Sequence, residues 1–308
     1  MPLPRRAVLA ALVVGVSGCA ASPVISGAPA VAPTSPPPTQ SPEAAAAQQA
    51  VAALRSAVEA LSGVSGFEAK DWAAAALAQC DAHLALLALP DPFGADDQEP
   101  FVVQTPAAPS LSTLEQGTAE LTERITGAVE ALKAAAGAAA EGDVRLVYAS
   151  AAAGATALGN TAVVPAASEV VPVRLQPTTL EASLPIALGH AWALLYGLGV
   201  GLGRLDSSDP LHALGTTRMA GAKEIRNALR DAVDEVPEQP AAFELPNEMS
   251  TPDEIRAGWA VLETHLLDGF ARLVAASDEG LWRDRFLAQV APVQAVGGRL
   301  GHWPGWTA

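Results

Sequence analysis

The most regular hydrophobic pattern in the chain lies between Thr251 and Val274, where Ile255, Trp259, Leu262, Leu266, Phe270 and Leu273 recur at spacings of three and four. That period places one apolar stripe along a helix and leaves the opposite face polar. The preceding Thr251-Pro252-Asp253-Glu254 marks the helix start three ways. It offers an N-cap hydroxyl, a proline at the first helical position and a capping-box acid. The same signals predict helices elsewhere. One runs from Glu43 to about Leu61 and stops at Ser62-Gly63; a second runs from Glu68 to Leu89 and ends at Pro90 and Pro92. Ser112-Thr113-Leu114-Glu115 is a capping-box pattern opening a third, to about Ala140, and Asp143 caps a fourth that ends near Gly159-Asn160. In the second half Thr178-Thr179-Leu180-Glu181 opens a helix to about Gly203, and Asp209-Pro210 opens one to about Val236. Ser277-Asp278 caps a last helix, with Leu281, Phe286, Val290 and Val293 inward, that ends at Gly297-Gly298.

Two stretches break the pattern. Residues 90–109 are acidic and proline-rich and read as a long surface loop. Residues 161–176 hold the only β-like composition, with Val163, Val164, Val170, Val171 and Val173. Pro165, Pro172 and Pro177 spoil a ladder there, so the segment reads as an extended crossover. The expected fold is all-α: an alanine-rich helical domain over 43–176, then a four-helix up-down bundle over 177–308 with one longer crossover.

Composition agrees with this reading. Alanine supplies 67 of 308 residues and aromatics only 5%, and alanine is the best helix former and a poor strand former. The net charge of −15, with three lysines in the chain, offers no footprint for a phosphate backbone and excludes nucleic-acid binding.

The N-terminus reads as a targeting segment. Arg5 and Arg6 precede an uncharged run from Ala7 to Val16 and then Ser17-Gly18-Cys19. This is the order of a charged region, an apolar region and a small-residue cleavage zone. Ten residues of helix reach about 15 Å, half of what a membrane core requires, so residues 1–18 read as a signal peptide. Val16-Ser17-Gly18-Cys19 resembles the bacterial lipobox, which implies cleavage before Cys19 and a thioether-linked lipid on its sulfur. An ordinary secretory signal containing a cysteine is the alternative. Pro4-Arg5-Arg6-Ala7-Val8-Leu9 partly resembles a twin-arginine export signal, without its usual Phe and Lys. Residues 19–42 then form a lipid-anchored linker with seven prolines, a semi-rigid spacer. Removal of residues 1–18 takes away two arginines and no acid, which lowers the charge from −15 to −17. Such a body is repelled by anionic lipid and stands off on its tether. With Cys19 lipidated, only Cys80 is left, and its helical setting reads as a buried structural thiol.

Gly189-His190-Ala191-Trp192-Ala193-Leu194-Leu195-Tyr196-Gly197 resembles the first-helix motif Glu-His-Ala-Ala-x-Tyr-x-Tyr-Gly of a ferritin-like family of unknown function found in exported actinobacterial proteins. Arg218, Arg230, the loop Phe243-Glu244-Leu245-Pro246, Glu263 and the terminal Trp303-Pro304-Gly305 also fit it. The likeness covers about residues 177–308 and implies a ferritin-like bundle. The departure is Gly189, which stands where the family has a ligating Glu. No Glu-x-x-His pair occurs, and Glu263 and His265, two apart, sit about 200° apart on a helix. A di-iron centre is therefore not expected, and no cofactor is predicted.

What is left is a polar cluster within the bundle: His190, Arg218, Glu224, Glu263 and His265. Gly197, Gly199, Gly201 and Gly203 follow no strand and miss the phosphate-loop spacing, so they read as helix-packing positions or a frayed helix end. Trp282, Trp303 and Trp306 with His302 read as an aromatic core plug. Walker, zincin, Cys-x-x-Cys and Gly-x-Ser-x-Gly patterns do not occur. The expected protein is a lipid-anchored, extracytoplasmic binding or scaffold module of the cell envelope. Its partners would be the membrane, through the anchor at Cys19, and an envelope protein or small ligand. The alternative is a divergent metal-dependent oxidoreductase or iron-handling protein built on His190, Glu224, Glu263 and His265.

Overall fold

A computed structural model describes residues 39–94, 97–104, 106–167 and 170–306. The expected signal peptide, Cys19 and nearly all of the expected linker lie outside these. The described elements are α1 (Pro42–Ser62), α2 (Lys70–Leu87), α3 (Leu114–Ala138), α4 (Gly142–Ala157), α5 (Leu180–Arg204), α6 (Pro210–Ala232), α7 (Pro252–Ala276), α8 (Gly280–Ala288) and α9 (Val290–Ala295). No strand occurs among the described residues, so the chain is all-α.

The caps explain the helix starts. Thr251 and Glu254 form the complete capping box, and Asp209 accepts from the Leu211 amide ahead of Pro210. Two caps fall one residue later than expected. Thr113, not Ser112, accepts from the Gln116 amide, and Thr179, not Thr178, accepts from that of Ala182. In each case two adjacent hydroxyl residues offered the same chemistry. Asp143 lies inside the first turn of α4 and not at its cap, because the helix already opens at Gly142. Ser277 likewise leaves the N-cap to Glu279, whose amide it binds.

The expected single last helix is two. Pro292 has no N–H for the carbonyl four residues back and crowds it, so α8 ends at Ala288 and α9 begins at Val290. The break turns Gln289, only 2% exposed, into the core.

In the first half α1 packs between α2 and α3, and α3 packs on α4; in the second α5 packs between α6 and α7, and α7 packs on α8 and α9. Helix α4 joins the halves, because it also lies against α7, α8 and α9. Its sequence makes this possible. The run Ala149-Ser150-Ala151-Ala152-Ala153-Gly154-Ala155 is small enough for helices to close in on several sides, and almost every residue from Asp143 to Ala157 is buried. One hydrophobic core therefore runs through both halves, from Trp72 and Leu132 to Trp259 and Phe270.

Arg145 on α4 is 7% exposed and forms no ion pair among the described residues. Its guanidinium donates to the carbonyls of Ala139, Ala140 and Val274, near the C-terminal ends of α3 and α7, where partial negative charge accumulates.

Helix α5 is long and apolar enough to cross a membrane by length and composition alone. In this structure Leu188, Ala191, Leu194 and Leu198 on one side of it are fully buried in the core. The alternating glycines divide by face. A Cβ at Gly197 would lie 2.2 Å from Leu262 Cδ1, and one at Gly201 would strike Trp259, whereas Gly203 faces open space. The Trp259 indole donates to the Gly197 carbonyl at 3.0 Å across this contact.

The C-terminal segment is a plug in both halves. Trp303 and Trp306 are buried, and Ser150 Oγ donates to the Pro304 carbonyl at 2.7 Å. Gly305 has φ +83°, and a Cβ there would lie 2.4 Å from Ala271 Cβ, so two requirements select glycine.

Candidate functional site

The five polar residues singled out in the sequence do not form one cluster. Arg218 on α6 and Glu263 on α7 meet in a bidentate pair at 2.6 and 2.7 Å, with Glu263 fully buried. Gln289, not anticipated from the sequence, completes the node. It accepts from Arg218 at 2.9 Å and donates to the Glu263 backbone carbonyl and to its carboxylate. Every side chain here is satisfied, and the carboxylate is fully used within the protein.

His265 points away from this node, as its spacing from Glu263 requires, and is exposed. Its ring lies 5.8 Å from that of His190. Glu224 is exposed on α6 and joins neither group. Among the described residues no group of three or more His, Cys, Asp or Glu is arranged to hold a metal ion.

His190 belongs to a different constellation. A cleft of about 450 Å³ lies between α5, α7, the crossover segment and the C-terminal plug. His190 from α5 and Asp268 and Arg272 from α7 line it, and Leu146, Val173 and Trp306 are among its apolar lining. Gly269 sets the geometry. A Cβ there would sit 3.1 Å from Ala187 Cα and from His190 Cδ2, so glycine lets α5 and α7 approach where His190 and Asp268 face the cleft.

The electrostatics of the cleft are those of groups without partners. Asp268 makes no hydrogen bond or ion pair with the described residues, and burial pushes its carboxyl up to about 6. Burial lowers the His190 imidazole below its usual range, and the positive fields of His265 and Arg272 push the same way. Arg272 is exposed and unpaired among the described residues, although it stands one helical turn from Asp268 at a natural pairing distance. The Trp306 indole N–H is buried without a hydrogen-bond partner among the described residues.

The crossover that roofs the cleft is strapped down at both ends. Arg174 binds Asp91 at 2.9 and 3.0 Å and Glu141 at 2.7 Å, and it lies over the Phe93 ring. Arg299 donates to the carbonyls of Val164 and Pro165, and the Ala166 amide donates to the carbonyl of Leu300. A second recess of about 610 Å³, containing Arg174, Glu141 and Asp143, shares Leu175, Gln176, Thr178 and Ala275 with the cleft.

Two other groups are inert by their surroundings. Cys80 is buried, and desolvation pushes its thiol up to about 12, far from a reactive thiolate. His83 is 1% exposed, donates to the His302 carbonyl at 2.6 Å and stacks on Trp303 with ring centroids 4.6 Å apart. Desolvation holds it down to about 4, so it is neutral at ordinary pH.

Sequence reasoning found His190 but not Asp268 or Arg272. A signal existed, since His265, Asp268 and Arg272 lie at i, i+3 and i+7 in a polar row beside the apolar stripe of α7. Nothing local showed that the crossover would form a cleft beside Asp268 and Arg272. Comparisons with known protein families, with curated proteins and with solved structures find no match for this chain.

Proposed function

We propose that the chain is a lipid-anchored, extracytoplasmic binding protein, tethered through Cys19, whose second half is a ferritin-like bundle lacking that family's metal ligands. Its ligand site is the cleft between α5, α7 and the crossover. The observation that carries this reading is the convergence of His190, Asp268 and Arg272 on one cavity, without protein partners among the described residues, against an apolar wall. Pockets with a few unsatisfied polar groups on an apolar lining are the usual form of small-molecule sites. Unpaired polar groups beside a cavity are costly to the free protein and are compensated when a ligand supplies the missing partner.

The metal-dependent alternative drew on His190, Glu224, Glu263 and His265. Glu263 is committed to Arg218 and Gln289, and Glu224 is exposed elsewhere, so those four do not share a ligation point.

A thermal-shift screen of small metabolites against the full-length chain and Ile186→Trp tests the cleft. Ile186 lines it and is 38% exposed, so the larger ring fills space without disturbing the core. Compounds that stabilise the parent should lose their effect in the variant; equal shifts in both would place binding elsewhere. Membrane fractionation of Cys19→Ser tests the anchor. The variant should move to the soluble fraction, and an unchanged partition would remove the lipid from the reading.

A further inference from the structure

We infer that the cleft recognises a small zwitterion carrying an ammonium and a carboxylate on one carbon, with an apolar side chain: a hydrophobic α-amino acid. This deepens the proposed function and rests on it.

Three observations lead to this class. First, Asp268 and Arg272 are opposite charges four residues apart on α7, a spacing at which such side chains normally pair. They line the same cleft, yet form no ion pair with each other, and neither has another partner among the described residues. A ligand bringing one positive and one negative group a few ångströms apart satisfies both at once. A ligand of single charge satisfies one and repels the other.

Second, the two charges differ in depth. Asp268 is partly buried and Arg272 is exposed at the rim. The ammonium is therefore placed inward, where the carboxyl has lost its water, and the ligand carboxylate outward, where a guanidinium offers a forked donor. His190 stands on the facing helix with no hydrogen bond of its own among the described residues, free to accept from the ammonium.

Third, apart from Gln176 and Thr178 the rest of the lining is apolar, with Leu146, Val173, Ile186 and Trp306 forming the wall. A volume of about 450 Å³ is enough to hold a single amino acid with a large side chain.

The test is calorimetric titration of the full-length chain at pH 7.5 with three matched probes. L-phenylalanine carries both charges, 2-phenylethylamine only the ammonium and 3-phenylpropanoate only the carboxylate. L-phenylalanine is expected to bind at least tenfold more tightly than either analogue. In Asp268→Asn its advantage over 3-phenylpropanoate should fall to about one, and in Arg272→Gln its advantage over 2-phenylethylamine should do the same. These variants change exposed or unpaired groups, and a circular-dichroism melt confirms their folding. Equal affinity for the three probes overturns the inference, as do variants that weaken all three alike. So does absence of binding by any of them. If all three fail while screened compounds still lose their effect in Ile186→Trp, the ligand class is wrong and the cleft stands. If neither experiment shows cleft-dependent binding, both readings fall.

Discussion

Helix α7 carries a polar group on each of two sides, and they are built on opposite principles. On one side Glu263 is fully buried and bound to Arg218 and Gln289, with donors and acceptors matched. On the other, Asp268 and Arg272 line a cleft with His190 and are bound to nothing among the described residues. Charge and residue type alone do not separate the two sets, since each combines an acid and an arginine. What separates them is whether the fold supplies the partner. A buried charge whose partner is inside the protein serves the fold. A partly buried charge facing a cavity without one is held ready for something from outside.

The largest effect should come from breaking the closed node. Glu263→Leu leaves Arg218 without its counter-charge and is expected to destabilise the protein by about 3–5 kcal/mol in urea unfolding. Adding Arg218→Leu should recover most of that loss, because an apolar pair at such a site is often as stable as the ion pair. If the single variant costs less than about 1 kcal/mol, the node behaves like a surface pair and the contrast with the cleft collapses.

The next effect separates closed from open groups by pH. His83 is fully enclosed, and its pKa is lowered from 6.5 to about 4. Between those values the unfolded chain binds the proton and the folded chain does not, so stability falls as pH drops through this window. The shift corresponds to about 3 kcal/mol. His190 and His302 are lowered by burial and act with the same sign. Asp268 acts with the opposite sign. Its carboxyl is raised from 3.8 to about 6, so the folded state holds the proton longer and stability falls as pH rises between those values. Urea midpoints measured from pH 4 to 7.5 should show an acid limb that flattens in His83→Gln. They should also show a smaller gain for Asp268→Asn that is present at pH 7.5 and vanishes near pH 4. An acid limb unchanged in His83→Gln would show that the ring is not held neutral by the fold.

Much of the fold was legible in the chain. The apolar stripe of α7, its capping box, Asp209-Pro210 and the small residues of α4 all act within a few residues, where hydrogen bonding and side-chain volume are local properties. The errors were local as well. Neighbouring hydroxyls at residues 112–113 and 178–179 compete for one cap, and a proline three residues past Gln289 divides what hydrophobic spacing alone would continue. The candidate site was legible only in fragments. His190, Arg218 and Glu263 were visible as polar residues on apolar helices, but their grouping was not.

By itself, then, the sequence determined the helical class, most helix boundaries to within a few residues and the inert setting of Cys80. Each follows from period, volume or capping chemistry over one or two turns. Only the tertiary structure decided that Glu263 is sealed by Gln289 from across a helix break. It also decided that α4 joins both halves in one core, and that a strapped crossover walls the cleft lined by Asp268, Arg272 and His190. Those outcomes depend on which helices meet, at what distance and with which faces. That is set by the packing of the whole core, and no short stretch of the chain encodes it.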